Sequence, residues 1–124
     1  MAVFTGAATA LITPMNADGS LNFDEMGRLI DDQIANGIDA LVICGTTGES
    51  STLTDEEHRQ VLQFSLDLAA GRVPMIAGTG SNDTAYAIEL TRFACQIGYD
   101  AVLLVTPYYN KTTQNGLVAH YTAI

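Results

Sequence analysis

Positive charge is scarce in this sequence. Four arginines and one lysine stand against 14 acidic residues, which leaves a formal net charge of −9 over 124 residues. Neutralising phosphates takes a basic face, so no nucleic acid partner is expected, and an anionic membrane surface is no better matched. No apolar run approaches the ~18 residues that cross a bilayer. Met1 to Thr9 contain no basic segment followed by an apolar one, so no secretory leader is expected. Cysteine is sparse too. Cys44 and Cys95 lack CxxC spacing, which removes both a zinc site and a disulfide framework. Both lie among apolar neighbours and are expected to be buried, reduced thiols of a cytoplasmic protein. His58 and His120 are isolated, and Glu49 is the one acid close behind a strand end, so neither metal nor cofactor is expected.

What remains is apolar and patterned. Hydrophobic residues make up 48% and charged ones 15%, the balance of a well-buried globular chain. Ala7 to Thr13 is a short apolar run halted by Pro14, read as a first strand. Phe23, Met26, Ile30 and Ile34 recur at helical spacing, with Asn22 placed to cap the start and Gly37 to end the helix. Leu41 to Cys44 is a second strand. Thr54-Asp55-Glu56-Glu57 is a capping box that opens a helix running through Val61, Leu62, Leu66 and Leu68 to near Gly71. Pro74 to Ala77 is a third strand, and Asp83 caps a helix reaching Gly98. Ala101 to Val105 is a fourth strand, and a last helix runs from about Gln114 through Ile124.

An internal echo supports this division. Ala35 to Val42 is answered 61 positions later by Gln96 to Leu103: a helix end, a glycine, a turn with aspartate, then an apolar strand. Asp39 and Asp100 therefore precede equivalent strands and are expected to cap turns on the rim opposite the strand ends. Strands this apolar call for cover on both faces, the mark of a parallel sheet with crossover helices. Four such α/β units in a row fit a doubly wound sheet or half of a (β/α)₈ TIM barrel. His120 to Ile124 hold no helix stop, so the expectation is a chain that ends inside its fourth helix, the first half of something longer.

Gly45-Thr46-Thr47-Gly48-Glu49-Ser50 follows the second strand directly. Small residues and hydroxyls between a buried strand and a helix start predict a loop for a small anionic group, held by backbone N–H groups and favoured by the helix dipole. Thr13, Thr46-Thr47, Thr79 and Thr106 all stand at strand ends, which predicts hydroxyls gathered on one rim. Nucleotide readings fail. The loop lacks the lysine of a phosphate-binding P-loop, and Gly78-Thr79-Gly80 is followed by Asp83 where a dinucleotide fingerprint needs its third glycine. Tyr108 and Tyr109, adjacent in an extended segment, are expected to point opposite ways, one ring into the site and one toward a neighbour. A tyrosine hydroxyl beside a threonine hydroxyl is able to relay a proton, since each both donates and accepts. His58 is expected in the first turn of its helix, and His120 on a helix facing solvent or an interface.

Three motifs together, Gly-Thr-Thr-Gly-Glu-Ser at 45–50, Ala-Gly-Thr-Gly-Ser-Asn at 77–82 and Thr-Pro-Tyr-Tyr-Asn-Lys at 106–111, resemble the dihydrodipicolinate synthase family. That family belongs to the pyruvate-dependent class I aldolases and lyases, which include N-acetylneuraminate lyase. The resemblance runs the length of the chain from Phe4-Thr5-Gly6. It implies a (β/α)₈ barrel in which a lysine forms an imine with pyruvate, and the resulting enamine attacks aspartate semialdehyde on the way to lysine and diaminopimelate.

Carried over by motif, the resemblance makes Thr46 and Tyr109 catalytic, joined in a hydroxyl relay with Tyr109 offered across a dimer interface. Thr47 and Gly48 become substrate-binding, Thr47 holding the pyruvate carboxylate through its hydroxyl and N–H. Ser51, His58, Asn82 and Tyr108 match positions of a lysine-inhibitor cleft. Asp55 stands there in place of a histidine and Tyr86 in place of a glutamate, so feedback inhibition is not expected. The resemblance further implies a homo-oligomer, a dimer of dimers, when the protein is full length. The imine lysine is absent: Lys111 is the one lysine and matches a basic position outside the active site. The 124-residue chain is expected to be catalytically inactive alone. Two rival readings are a sugar-acid aldolase of the same imine chemistry and a free-standing flavodoxin-like binding module.

Overall fold

A computed structural model describes residues 2–124. Four βα units follow one another: β1 (Ala8–Ala10), α1 (Phe23–Ala35), β2 (Ala40–Ile43), α2 (Asp55–Ala69), β3 (Met75–Gly78), α3 (Thr84–Ile97), β4 (Ala101–Leu103) and α4 (Gln114–Ala123). The helix starts obey local chemistry. Asn22 accepts from the Glu25 N–H, the Thr54/Glu57 capping box is complete, and the Asp83 carboxylate accepts from the N–H groups of Ala85 and Tyr86. Gly37 and Gly98 take the left-handed backbone expected past a helix end.

All pairings are parallel and the strand order is β1-β2-β3-β4. That order decides between the two α/β architectures. A flavodoxin-like sheet runs 2-1-3-4 and reverses direction at its switch point, whereas a barrel adds each strand beside the last. The four units show no reversal, and the flavodoxin-like module is overturned. The helices pack in the same sequence, α1 on α2, α2 on α3 and α3 on α4.

Register sorts the side chains. Leu41, Ile43, Met75 and Ala77 point to the helix side and join Met26, Ile30, Val61, Leu62, Leu90 and Ala94 in one core. Each fully buried leucine or isoleucine there contributes about 1.5–3 kcal/mol. The other face carries Ala10, Val42, Ile76 and Ala101 in one row. Ala8, Ala10, Ile12 and Leu103 are exposed on or beside it, so the expected cover on both faces holds for the helix side only among the described residues.

The 61-residue echo is a structural device. Asp39 accepts from the Ala7 N–H at 2.8 Å and donates its own N–H to the Ala7 carbonyl at 3.2 Å. Asp100 does the same to Met75, at 2.8 and 3.1 Å. Each aspartate thus clamps the start of the preceding strand to its own.

Several expectations need correction. β1 and β4 are shorter than the apolar runs that mark them; at β4, Leu104 and Val105 leave the ladder where Gly80 packs against the Val105 backbone. Cys44 is buried as expected, but Cys95 is exposed. It lies one position past Ala94, outside the Ala87-Leu90-Thr91-Ala94 stripe that α3 buries. α2 does stop near Gly71 as expected, its last turn closed by left-handed Ala70. His120 does not face solvent. It is buried between α3 and α4, its Nδ1 2.8 Å from the Thr84 hydroxyl.

Candidate functional site

β2 delivers the chain to a turn bracketed by strained backbone. Cys44 has φ +56° and Glu49 φ +54°, values that residues with a Cβ seldom adopt. Between them Gly48 N–H donates to the Gly45 carbonyl and Glu49 N–H to the Thr46 carbonyl, both at 3.0 Å. Gly45 and Gly48 are buried, and the Thr46-Thr47 tip is exposed. Among the described residues no backbone carbonyl accepts from Thr46 or Thr47 N–H, so two donors at the tip remain available.

This is narrower than the loop read from sequence. The Gly48 amide is engaged inside the turn, and its carbonyl accepts the Thr13 hydroxyl at 2.7 Å in a buried bond. A Cβ at Gly48 would crowd the Cys44 backbone and the Leu11 carbonyl at 3.2 Å. Gly48 thereby lets the turn sit down on the ends of β1 and β2. Nor does the dipole of α2 serve the loop. A 3₁₀ turn (Ser50–Thr52) and Leu53 intervene, and the helix meets its own N-terminus with the capping box and Asp55, Glu56 and Glu57. The loop's affinity for an anion rests on its own tip.

The rim of hydroxyls also dissolves on inspection. Thr13 turns in to Gly48, and Thr79, fully buried, faces Thr91 with their hydroxyls 2.8 Å apart. Thr106 pairs with the Tyr121 hydroxyl at 3.2 Å on the α4 side. Thr46 and Thr47 alone present hydroxyls from β2. A strand end alternates its side chains, so adjacent units share the residue type without sharing its direction.

Beside this tip lies a cavity of about 520 Å³. Gly45 and Thr46 line it from β2, Gly78 and Gly80 from β3, Leu104 and Val105 from β4, and Tyr108 from the loop beyond. Gly78 makes the junction possible, since any Cβ there would collide with the Cys44 carbonyl. Its own carbonyl, 2.9 Å from His58 Nε2, only accepts, so Nε2 carries the proton and Nδ1 is left as an acceptor. Burial lowers the His58 pKa against that bond's opposing effect and keeps the ring neutral. His58 is in the first turn of α2, as expected. Its bond to Gly78 was not legible from spacing.

A second cavity, about 310 Å³, shares Ser50, Ser51, Gly80 and Tyr108 with the first and adds Asp55, His58 and Tyr86. Arg59 Nε donates to Asp55 at 2.9 Å, which holds that carboxyl below its ordinary value, and the guanidinium lies 4.9 Å over the Phe93 ring centroid. Burial pushes the Tyr86 phenol up to about 12. The Cys44 thiol, pushed to about 12 by burial, is an inert wall of the first cavity.

The structure therefore brings Thr46 together with Tyr108, and Ser51 and His58 with Tyr108. Thr47 stands at the exposed tip, and Asn82, which lines neither cavity, donates its Nδ2 to the Tyr108 carbonyl at 3.2 Å. Tyr109 joins neither cavity: it is 98% exposed with φ +68°. The two rings do point different ways, Tyr108 into the cavities and Tyr109 to the outside, but the backbone is bent there, not extended.

Comparison with known proteins places this geometry. The model of the dihydrodipicolinate synthetase family matches residues 3–124. A 4-hydroxy-tetrahydrodipicolinate synthase from a Thermoanaerobacter species is 55% identical over 124 residues, covering 100% of this chain and 41% of that protein. The crystal structure of dihydrodipicolinate synthase from Aquifex aeolicus superposes with a TM-score of 0.93 at 50% identity, over 97% of this chain and 41% of that one. The chloride-inhibited dihydrodipicolinate synthase from Acinetobacter baumannii, complexed with pyruvate, gives 0.94 at 50% identity over 95% and 40%. The chain thus spans about two fifths of the length of the relatives it matches. Its four parallel βα units are the first four of their (β/α)₈ barrel, and the chain belongs to the dihydrodipicolinate synthetase family.

Proposed function

We propose that the protein to which these units belong condenses pyruvate with aspartate semialdehyde through a lysine imine, in the cytoplasm and as a homo-oligomer. Residues 1–124 are then the N-terminal half of one barrel domain. The observation that carries this reading is the exposed Thr46-Thr47 tip, with two uncommitted N–H donors beside the larger cavity. A carboxylate is an acceptor at both oxygens and suits such a tip. The relatives' names favour aspartate semialdehyde over a sugar acid as second substrate.

Thr47 holds the pyruvate carboxylate by its hydroxyl and N–H, on a turn whose geometry Gly48 permits. Thr46 passes a proton to Tyr109 of another copy, since Tyr109 projects away from its own cavity. The imine lysine lies outside these 124 residues, because the only lysine, Lys111, is exposed in a polar loop. Thr47→Val in the full-length enzyme removes a hydrogen bond to a charged group and should raise KM for pyruvate roughly tenfold or more. An unchanged KM would remove Thr47 from the site.

The second cavity is proposed to be a lysine-inhibitor cleft that has lost its function, despite Ser51, His58, Asn82 and Tyr108. Its one acidic lining residue, Asp55, is already paired with Arg59, and Tyr86 offers a neutral phenol. Titration of the full-length enzyme with lysine should leave its rate unchanged into the millimolar range. Inhibition below that range would show that the cleft still binds.

A further inference from the structure

Tyr109 keeps a left-handed backbone although it has a Cβ and its ring touches almost nothing. An exposed aromatic without tertiary contacts ordinarily relaxes to negative φ. Here the Asn110 N–H donates to the Tyr108 carbonyl at 2.8 Å, closing a three-residue turn with Tyr109 at its apex. The positive-φ form of this γ-turn is rare and strained, and it persists only where surrounding groups hold both ends. Two amide side chains do so. Asn82 Nδ2 donates to the same Tyr108 carbonyl at 3.2 Å, and Asn110 Nδ2 donates to the Asn82 carbonyl at 3.4 Å. The turn is thereby tied to the β3–α3 connection and set beside the Tyr108 ring that lines both cavities.

We propose that Asn82 and Asn110 are positioning residues that lock Tyr109 in the strained turn, so that its hydroxyl is held clear of its own chain for the site of a second copy. The inference rests on the reading of Tyr109 given above. What it adds is the amide clamp, without which the ring would sample many directions and its hydroxyl would rarely meet Thr46. Asn82 adjoins Ser81, which lines the second cavity, so Asn110, exposed and outside both cavities, carries the test.

In the full-length enzyme Asn110→Ala should lower kcat roughly five- to tenfold, the usual scale for losing a hydrogen bond, and leave KM for pyruvate unchanged. Combined with Tyr109→Phe it should cause no further fall, because both changes disable one unit. An unchanged kcat in Asn110→Ala, or an equal loss in both backgrounds, would overturn the clamp. If Tyr109→Phe itself keeps full kcat, the hydroxyl relay has failed and the clamp is judged separately. Fluorine NMR of fluorotyrosine-labelled enzyme, with the Tyr109 line assigned by its loss in Tyr109→Phe, should show that line sharpen in Asn110→Ala. A line of unchanged width would overturn the clamp in that case.

Discussion

The Thr13 hydroxyl donates to the Gly48 carbonyl at 2.7 Å, so the end of β1 anchors the turn that presents Thr46 and Thr47 from β2. Thr13 is buried, and its hydroxyl is taken up by Gly48. On the proposed reading it positions the tip through Gly48, whose N–H already closes the turn on Gly45. Thr13→Val keeps the volume and leaves the buried carbonyl without its donor. The expected cost is about 1–3 kcal/mol in urea unfolding, with KM for pyruvate raised several-fold. A stability loss with KM intact would limit Thr13 to the fold.

Asp39 and Asp100 predict a pair of matching effects. Each carboxylate accepts from an N–H at the start of the preceding strand, Ala7 just before β1 and Met75 opening β3. Asp39→Ala and Asp100→Ala should each destabilise by about 1–2 kcal/mol in denaturant unfolding. The losses should add in the double variant, because the two clamps share no partner. Strong non-additivity would mean that β1-β2 and β3-β4 are not independent two-strand units.

His58 predicts a pH dependence of stability. Its folded pKa is depressed by burial below the unfolded value near 6.5. The unfolded chain therefore binds more protons in the interval between the two, and stability rises with pH there. The contribution is fully present above the unfolded pKa and is lost as pH falls from there through the lowered folded pKa. His58→Gln retains an amide donor for Gly78 and cannot titrate. Its urea midpoint should change less between neutral pH and pH about 5 than that of the unsubstituted protein. Equal slopes would show that other groups govern acid sensitivity.

Much of the fold was legible because its signals are local. Asn22, the Thr54/Glu57 box and Asp83 cap helices by contacts within three residues, and each does so in the structure. The echo between Asp39 and Asp100 located equivalent strand starts, although it gave no hint that the preceding strand was the one clamped. Strand order, by contrast, separates a barrel from a flavodoxin-like sheet and is written in no short motif.

The site was harder to read where direction mattered more than identity. Thr13, Thr79 and Thr106 share a residue type and a position with Thr46, yet bond to Gly48, Thr91 and Tyr121. Their partners lie 35, 12 and 15 residues away, beyond any spacing rule. Tyr109 was expected in extended backbone. The Asn82 and Asn110 amides that hold it bent come from two loops that only the sheet brings together. Cys95 shows the same limit on a helix, where one residue's shift in phase separates the core from solvent.

On the proposed reading the labour is divided: this chain binds the keto acid, and the reacting lysine lies outside it. Borohydride reduction in the presence of pyruvate tests it most directly, by mass spectrometry of the full-length protein and of the 124-residue chain. A stable adduct is expected on a lysine outside residues 1–124 in the full-length protein and none on the isolated chain. A pyruvate adduct on Lys111 would contradict it.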